Sequence, residues 1–325
     1  MSYITKLTTF GLLLISLTLL ISCEPANKDN KETESNSESV EDELMSDLTY
    51  TFNHPDTDQT FKIVHAYKLY ENYEKELENN PDEHELRFYK QEVIAPVYED
   101  CFEDVEHPPR EMLNDAPTDF ENIQSIVNKI DSEKMNGLIE EALLKSSDVL
   151  PSAENKNVCV FPPMDSYSNY SGLALGSENM VFFNDGFFDD ESIQALIAHE
   201  YQHTVQQEKE HYESNDLDIL DIIVREGKSV MFEKLVYPEG HQRDVKYNYD
   251  NADYWPEVEP DLFNVDYARA DEILFGGDEF PVNYGYSEGY KIVESYLDLH
   301  PDVDVEEWTG LSGKEIYEEG DYADY

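Results

Sequence analysis

Apolar residues recur at three- and four-residue spacing through most of the chain from Thr60 to Leu150. "FKIVHAYKLYENYEKEL", "ELRFYKQEVIAPVYEDCF", "FENIQSIVNKI" and "MNGLIEEALLKSS" each carry apolar positions at helical period, so a run of helices is expected until Pro151 stops the pattern. The texture then changes. "NVCVFPP" is short and β-rich, and "SGLALGSENMVFFND" reads as two strands joined by a Gly-Ser turn. Asp189 or Asp190 opens a helix over "DDESIQALIAHEYQHTVQQEKE", with more acid in its first turn. A second helix, "LDILDIIVREGKSVMFEKLV", follows a polar connection. Residues 238–281 are tyrosine-rich, acidic and irregular, and "SEGYKIVESYLDL" is a last clear helix. The fold class expected is α+β: a helical part over 49–150, then a small sheet with further helices over 151–325, most simply one domain.

The N-terminus breaks from this pattern. Lys6 precedes an uncharged apolar run, "FGLLLISLTLLIS", that ends at Cys23. The run is too short for a membrane-spanning helix and has the shape of a secretory signal. Leu20-Ile21-Ser22-Cys23 resembles the bacterial lipobox, in which the cysteine becomes the lipid-bearing first residue. Residues 1–22 are therefore expected to be a lipoprotein signal peptide, with Cys23 as the lipidation site. Residues 23–48, rich in Ser, Asn and Glu with no apolar period, are expected to be a disordered acidic tether. That layout implies an extracytoplasmic protein, held at the cell membrane by its lipid. Cys101 and Cys159 remain. Export permits a disulfide between them, and their distance in sequence leaves the pairing open.

Charge narrows the partners. Against 22 Lys+Arg stand 73 Asp+Glu, a formal charge of −51. Such a field repels nucleic acid and anionic surfaces, so no nucleic-acid partner is expected. Residues 24–47 hold only nine acids and two lysines, so most of the excess belongs to the folded part as a hydrated acidic surface. A calcium loop is not its cause. Asp216, Asp218 and Asp221 lack the glycine and closing glutamate that such a loop needs.

The chemistry lies in "LIAHEYQHTV". His199 and His203, four apart, share one helical face and direct both imidazoles at one point. Glu200 sits about 100° around the helix, too close to His199 to be an easy co-ligand and placed to reach a water. This is the physical content of H-E-x-x-H: two neutral nitrogen ligands for Zn2+ and one carboxylate base. Ile193, Ile197, Tyr201 and Val205, with Ala198 beside them, form an apolar stripe roughly opposite the histidines, which should therefore face a cleft or solvent. "ENMVFFND", just before the helix, offers either a strand for an extended peptide to pair with or an ordinary core strand.

A catalytic zinc takes three protein ligands and keeps one position open for water. Glu226, with Gly227 beside it for close packing, ranks first as the third ligand. Glu288, in a similar Glu-Gly setting, and His211 are alternatives. His211 fits poorly with H-E-x-x-H-x-x-G-x-x-H, because Gln206 and Lys209 stand at the glycine and final histidine. Tyr284, Tyr286, Tyr290 and His241 are candidate donors to a developing oxyanion. His54, His65, His84, His107 and His300 are read as ordinary surface or packing residues.

From Asn157 to the C-terminus the chain resembles the YjaZ-like predicted zinc-dependent proteases of bacteria. The resemblance rests on "VCVFPP" with "LGSENMVFFND", "LIAHEYQHTV", "REGKSVMF", "YGYSEGYKIVESYLD" and "VEEWTGLSGKEIY", in that order and spacing. It implies a zincin-like metallopeptidase domain with a glutamate third ligand, here Glu226. It also implies that the Tyr-Gly-Tyr and Glu-Gly-Tyr region lies near the site. Where the family favours small or apolar residues after its Glu-Gly pair, this chain has Lys228-Ser229. The expected function is a lipid-anchored zinc metallopeptidase that hydrolyses peptides or proteins, with water at the zinc and Glu200 as general base. The alternatives are a non-catalytic surface lipoprotein that binds a partner and a zinc amidase acting on cell-wall peptide.

Overall fold

Alternating burial within "FKIV" settles the first layer. The computed structural model describes residues 47–103, 105, 108–117, 119–209, 217–240, 251–277 and 279–322, without the side chains of 251–253. The signal peptide, Cys23, nearly all of the tether, His107, His211 and His241 lie outside the described residues. "FKIV" does not begin a helix, as its spacing suggests. It forms β2 (Thr60–Val64), antiparallel to β1 (Thr49–Asn53). So short an apolar run fits either period, and pairing with a distant strand decides it. The part expected to be purely helical thus supplies two strands.

β3 (Lys156–Phe161), β4 (Gly172–Leu175) and β5 (Asn179–Phe183) complete a mixed sheet in the order β1-β2-β3-β5-β4. β2, β3 and β5 run parallel, while β4 returns antiparallel to β5 as an edge strand. Period-two alternation sends side chains to both faces. Phe61, Ile63, Val158, Val160, Met180 and Phe182 enter one core, and Val64, Cys159, Phe161, Val181 and Phe183 enter the other. Helices cover both faces, and the α+β class expected from the sequence is observed. On the second face a disulfide joins Cys101, in the helix Ala95–Phe102, to Cys159 of β3. Its sequence separation of 58 residues removes unfolded-chain entropy worth roughly 4 kcal/mol.

The first face carries the functional helices. The motif helix, Asp190–Lys209, is buried at every position from Ile193 to Gln206. Its histidines are enclosed rather than turned to solvent. Asp218 caps the glutamate helix, Ile219–Val236, by accepting from the Asp221 N–H. The tyrosine helix, Tyr284–Leu299, crosses the glutamate helix where Gly227 meets Gly289. The stretch 238–281 is less irregular than its composition suggests, for it contains helices Asn251–Val258 and Tyr267–Phe275. Pro256 and the frequent acids hide their period. Among the described residues no helix is long and apolar enough to cross a membrane.

The crossing sets the position of Glu226. A Cβ on Gly227 would lie 2.1 Å from the carbonyl carbon of Gly289, and one on Gly289 would lie 2.1 Å from the Ile223 oxygen. These obstacles are backbone, which cannot turn aside. Gly227→Ala is expected to destabilise the fold by about 2–3 kcal/mol or more through overpacking. Gly137→Ala, within the helix Ser132–Val149 where nothing lies within 4 Å of the added Cβ, should stabilise by about 0.5–1 kcal/mol. Urea denaturation of both variants tests the pair, and equal midpoints would contradict the crossing.

Candidate metal centre

Asp189 starts the motif helix by accepting from the Ser192 N–H at 2.8 Å, and Asp190 and Glu191 occupy its first turn. One turn apart within that helix, the His199 and His203 rings stand edge to face with centroids 4.8 Å apart. Their Nε2 atoms are 3.1 Å from each other. Glu226 Oε2, from the neighbouring helix, lies 3.2 Å from His199 Nε2 and 3.4 Å from His203 Nε2. Two nitrogens and one oxygen thus form a nearly equilateral triangle. A tetrahedral zinc with bonds of about 2.0–2.1 Å separates its ligand atoms by about 3.3–3.4 Å. The triangle fits that ion in size and in donor type. Among the described residues no other group of three or more His, Cys, Asp or Glu side chains meets in this way.

A buried carboxylate holds the first imidazole. Glu233 Oε2 lies 3.0 Å from His199 Nδ1, with both side chains almost fully buried. A carboxylate only accepts, so Nδ1 carries the hydrogen and Nε2 is turned to the triangle. Burial alone would depress the His199 pKa. Hydrogen bonds to Glu226 and Glu233, with the charges of Glu233 and Glu200, outweigh it and raise the value to about 10. Burial pushes Glu226 up, but the charge of His203 and hydrogen bonds from both imidazoles hold it well below the usual carboxylate range. Three glutamates around one histidine create a strong demand for positive charge at this point.

The triangle opens on a cleft of about 280 Å³. Tyr170 and Gly172–Ala174 of β4 line one wall, and Leu217, Ile222, Arg225, Tyr267, Asp271 and Leu274 line the other. Glu200, buried, borders the cleft beside His199 and packs on Gly172, where a Cβ would lie 2.5–2.7 Å from its Oε1, Cδ and Cγ. Of the two roles open to "ENMVFFND", the core strand is the one observed. That segment is β5, fully buried between β3 and β4, and the edge strand is β4. Phe183 N–H donates to Ser171 C=O, so ladder alternation turns the backbone groups of Gly172 and Ala174 away from β5. On that side Gln207 Nε2 meets Ala174 O at 3.5 Å.

The other candidates separate clearly. Tyr286 lines the cleft, its ring centroid 6.4 Å from that of His199. Tyr290 lies outside the cleft lining: its hydroxyl donates to Glu294 and accepts from Lys234, both at 2.8 Å. Tyr284 is packed between Phe280 and Tyr254, also outside the lining. Glu288 is no part of the triangle. It accepts from the Tyr322 hydroxyl, lies 3.7 Å from Lys291, and has its pKa raised by burial. Glu233, Ser229 and Gln202 belong to the site and escape the motif reading. Glu226, Ser229 and Glu233, spaced by three and four residues, share one helical face, and a carboxylate two turns beyond the candidate ligand on that face was the available signal.

A model of the family described as "Predicted Zn-dependent protease (DUF2268)" matches residues 135–318, more than half of the chain. The chain belongs to this family. All three triangle residues fall within the match, while β1, β2 and the disulfide-bearing helix precede it. A member of the wider set of relatives, the uncharacterized protein YjaZ of Bacillus subtilis (strain 168), is 26% identical over 195 residues, spanning 55% of this chain and 73% of that protein. No solved structure matches the chain. The family's departure point, Lys228-Ser229, has a physical account. Buried Lys228 turns away from the triangle to donate to the carbonyls of Thr309 and Leu311, and Ser229 Oγ meets His203 Nδ1 at 3.1 Å.

With the His199 pKa raised to about 10, that imidazole carries a proton at pH 7 that a metal must displace. Zinc titration calorimetry in buffers of different protonation heat should therefore show about one proton released per zinc at pH 7. The raised pKa stabilises the metal-free fold fully below about 6.5, and this stability is lost as pH rises through about 10. Zinc uptake without proton release would contradict the electrostatics described.

Proposed function

We propose that this protein is a zincin-like, zinc-dependent metallopeptidase. The observation that carries the reading is the His199–His203–Glu226 triangle at the floor of a cleft that Glu200 also borders. His199, His203 and Glu226 would hold the ion, and Glu233 orients the first of them. A bound zinc supplies Lewis acidity, which acidifies water toward a pKa of about 7 and polarises the scissile carbonyl. The remaining work falls to the chain. An extended peptide adds antiparallel to β4, using the backbone groups of Gly172 and Ala174 that face away from β5. Glu200 takes the proton of the attacking water on its carboxylate and hands it to the leaving nitrogen. Tyr286 is the donor proposed for the developing oxyanion. Leu217, Ile222, Leu274 and Tyr267 receive an apolar side chain of the substrate. The charge of −51 favours neutral or basic peptides over acidic ones.

The reading extends to location. Residues 1–22 would direct export and Cys23 would carry a lipid, so the enzyme would act outside the cytoplasm at the cell membrane. The disulfide between Cys101 and Cys159 supports an oxidising compartment.

Glu200→Gln keeps the volume and removes the base. It is expected to retain zinc while hydrolysis of a quenched-fluorescent casein falls by at least about a hundredfold. Gly172→Ala, which displaces the Glu200 carboxylate, should lower kcat in the wild-type background and have no further effect in Glu200→Gln. Wild-type rates in Glu200→Gln would sink the peptidase reading. Cleavage of cell-wall peptide but not of casein would move the activity to an amidase.

A further inference from the structure

We propose that Asp271 is a specificity-determining residue of the cleft, where its carboxylate receives the cation of a lysine or arginine side chain of the substrate peptide. The proposal rests on the peptidase reading above and names the class of side chain that the cleft wall takes. Tyr267, Asp271 and Leu274 stand at positions i, i+4 and i+7 of the helix Tyr267–Phe275, so they share one face, and all three line the cleft. The C-terminal end of that helix is the end near the metal centre. Phe275 packs on Tyr286 with ring centroids 5.9 Å apart, and the Tyr286 ring stands 6.4 Å from that of His199. Tyr170, two residues before β4, packs on Phe275 at 5.0 Å, so the two walls touch there. Asp271 lies one turn back from this contact, within the same cleft and outside the metal triangle.

The other charges of this helix are already matched. Arg269 meets Asp261, Glu272 and Glu279 at 3.2, 2.6 and 3.4 Å, and Asp266 caps the helix by accepting from the Arg269 N–H. Asp271, about 200° around the helix from Arg269, takes no part in that cluster. Among the described residues no side chain hydrogen-bonds or ion-pairs with it. That holds for Arg225, the other charged side chain of this wall. Asp271 is open to solvent, yet partial burial of its carboxyl raises the pKa. A cation entering the cleft therefore meets an anion that no described side chain balances, in a field less screened than at an ordinary surface acid. Leu274 and Tyr267 flank it with apolar surface. A lysine or arginine can lay its aliphatic stem there and still put its head on the carboxylate. The apolar subsite proposed above thereby gains an anionic end. The net charge of −51 does not make this discrimination. It attracts any cationic peptide whatever its register, whereas Asp271 reads a charge at one position relative to the scissile bond.

Cleavage of a synthetic decapeptide library by the zinc-loaded wild-type protein, read by mass spectrometry, is expected to enrich Lys and Arg at one position from the scissile bond above all others. Peptides carrying Lys, Leu or Glu at that position then quantify the preference. The Lys-to-Leu ratio of kcat/KM should fall roughly 5–10-fold in Asp271→Asn, as loss of a partly exposed, charge-assisted contact implies. In Asp271→Lys the Glu peptide should overtake the Lys peptide. Binding gives a readout independent of turnover. In the Glu200→Gln background, fluorescence anisotropy of the labelled Lys and Leu peptides should show the same loss of preference on Asp271→Asn. No positional enrichment of Lys and Arg, enrichment of Asp and Glu instead, or an unchanged ratio in Asp271→Asn overturns the assignment and leaves the peptidase reading intact. Wild-type protein that holds zinc and cleaves no peptide overturns both.

Discussion

Two imidazole nitrogens and a carboxylate oxygen meet within 3.4 Å of one another. Lone pairs and negative charge at that distance repel unless a cation stands among them. A proton on His199 answers the demand for one pair, and a metal ion answers it for all three. Much of the surrounding architecture serves to hold these groups against their repulsion. The motif helix is buried along its middle, the glutamate helix is pressed close to the tyrosine helix at two glycines, and Glu233 and Ser229 occupy the outer nitrogens of the two rings. Burial removes the water that would otherwise screen the charges. Glycines at the helix crossing and a serine beside His203 thus help set the site's geometry from outside the motif.

The sheet acts on the same site from the other side. β4 is both an edge strand and a cleft wall, and its Gly172 gives the Glu200 carboxylate the space of a missing Cβ. One residue therefore sets the place of the proposed base and, through its backbone, part of the proposed peptide track. The disulfide braces the far face of the sheet, away from the chemistry, where Cys159 of β3 is tied to the helix Ala95–Phe102.

How much of this was legible beforehand depends on how local each signal is. The motif helix, its aspartate cap and the Glu-Gly approach of Glu226 follow from spacing within a few residues, and they stand where the spacing puts them. β2 was hidden because "FKIV" fits a helix as well as a strand until β3 is known to lie beside it. The period of "MVFF" likewise left open whether β5 lies at the edge or in the core, and the pairing of β4 along it decides for the core. Glu288 imitates Glu226 in sequence, since both precede a glycine at the helix crossing. Their partners tell them apart: Glu226 meets the two histidines, and Glu288 accepts from Tyr322. Tyr286 and Tyr290, one turn apart, part company for a similar reason: Lys234 and Glu294 claim the second hydroxyl.

Metal stoichiometry tests the central claim most directly. Purified wild-type protein, exposed to zinc and freed of excess, is expected to hold one tightly bound ion. Glu226→Ala should lose or markedly weaken it, while Glu288→Ala should keep it. No zinc above background in the wild type, or equal retention in Glu226→Ala, would contradict the account of a three-residue metal centre.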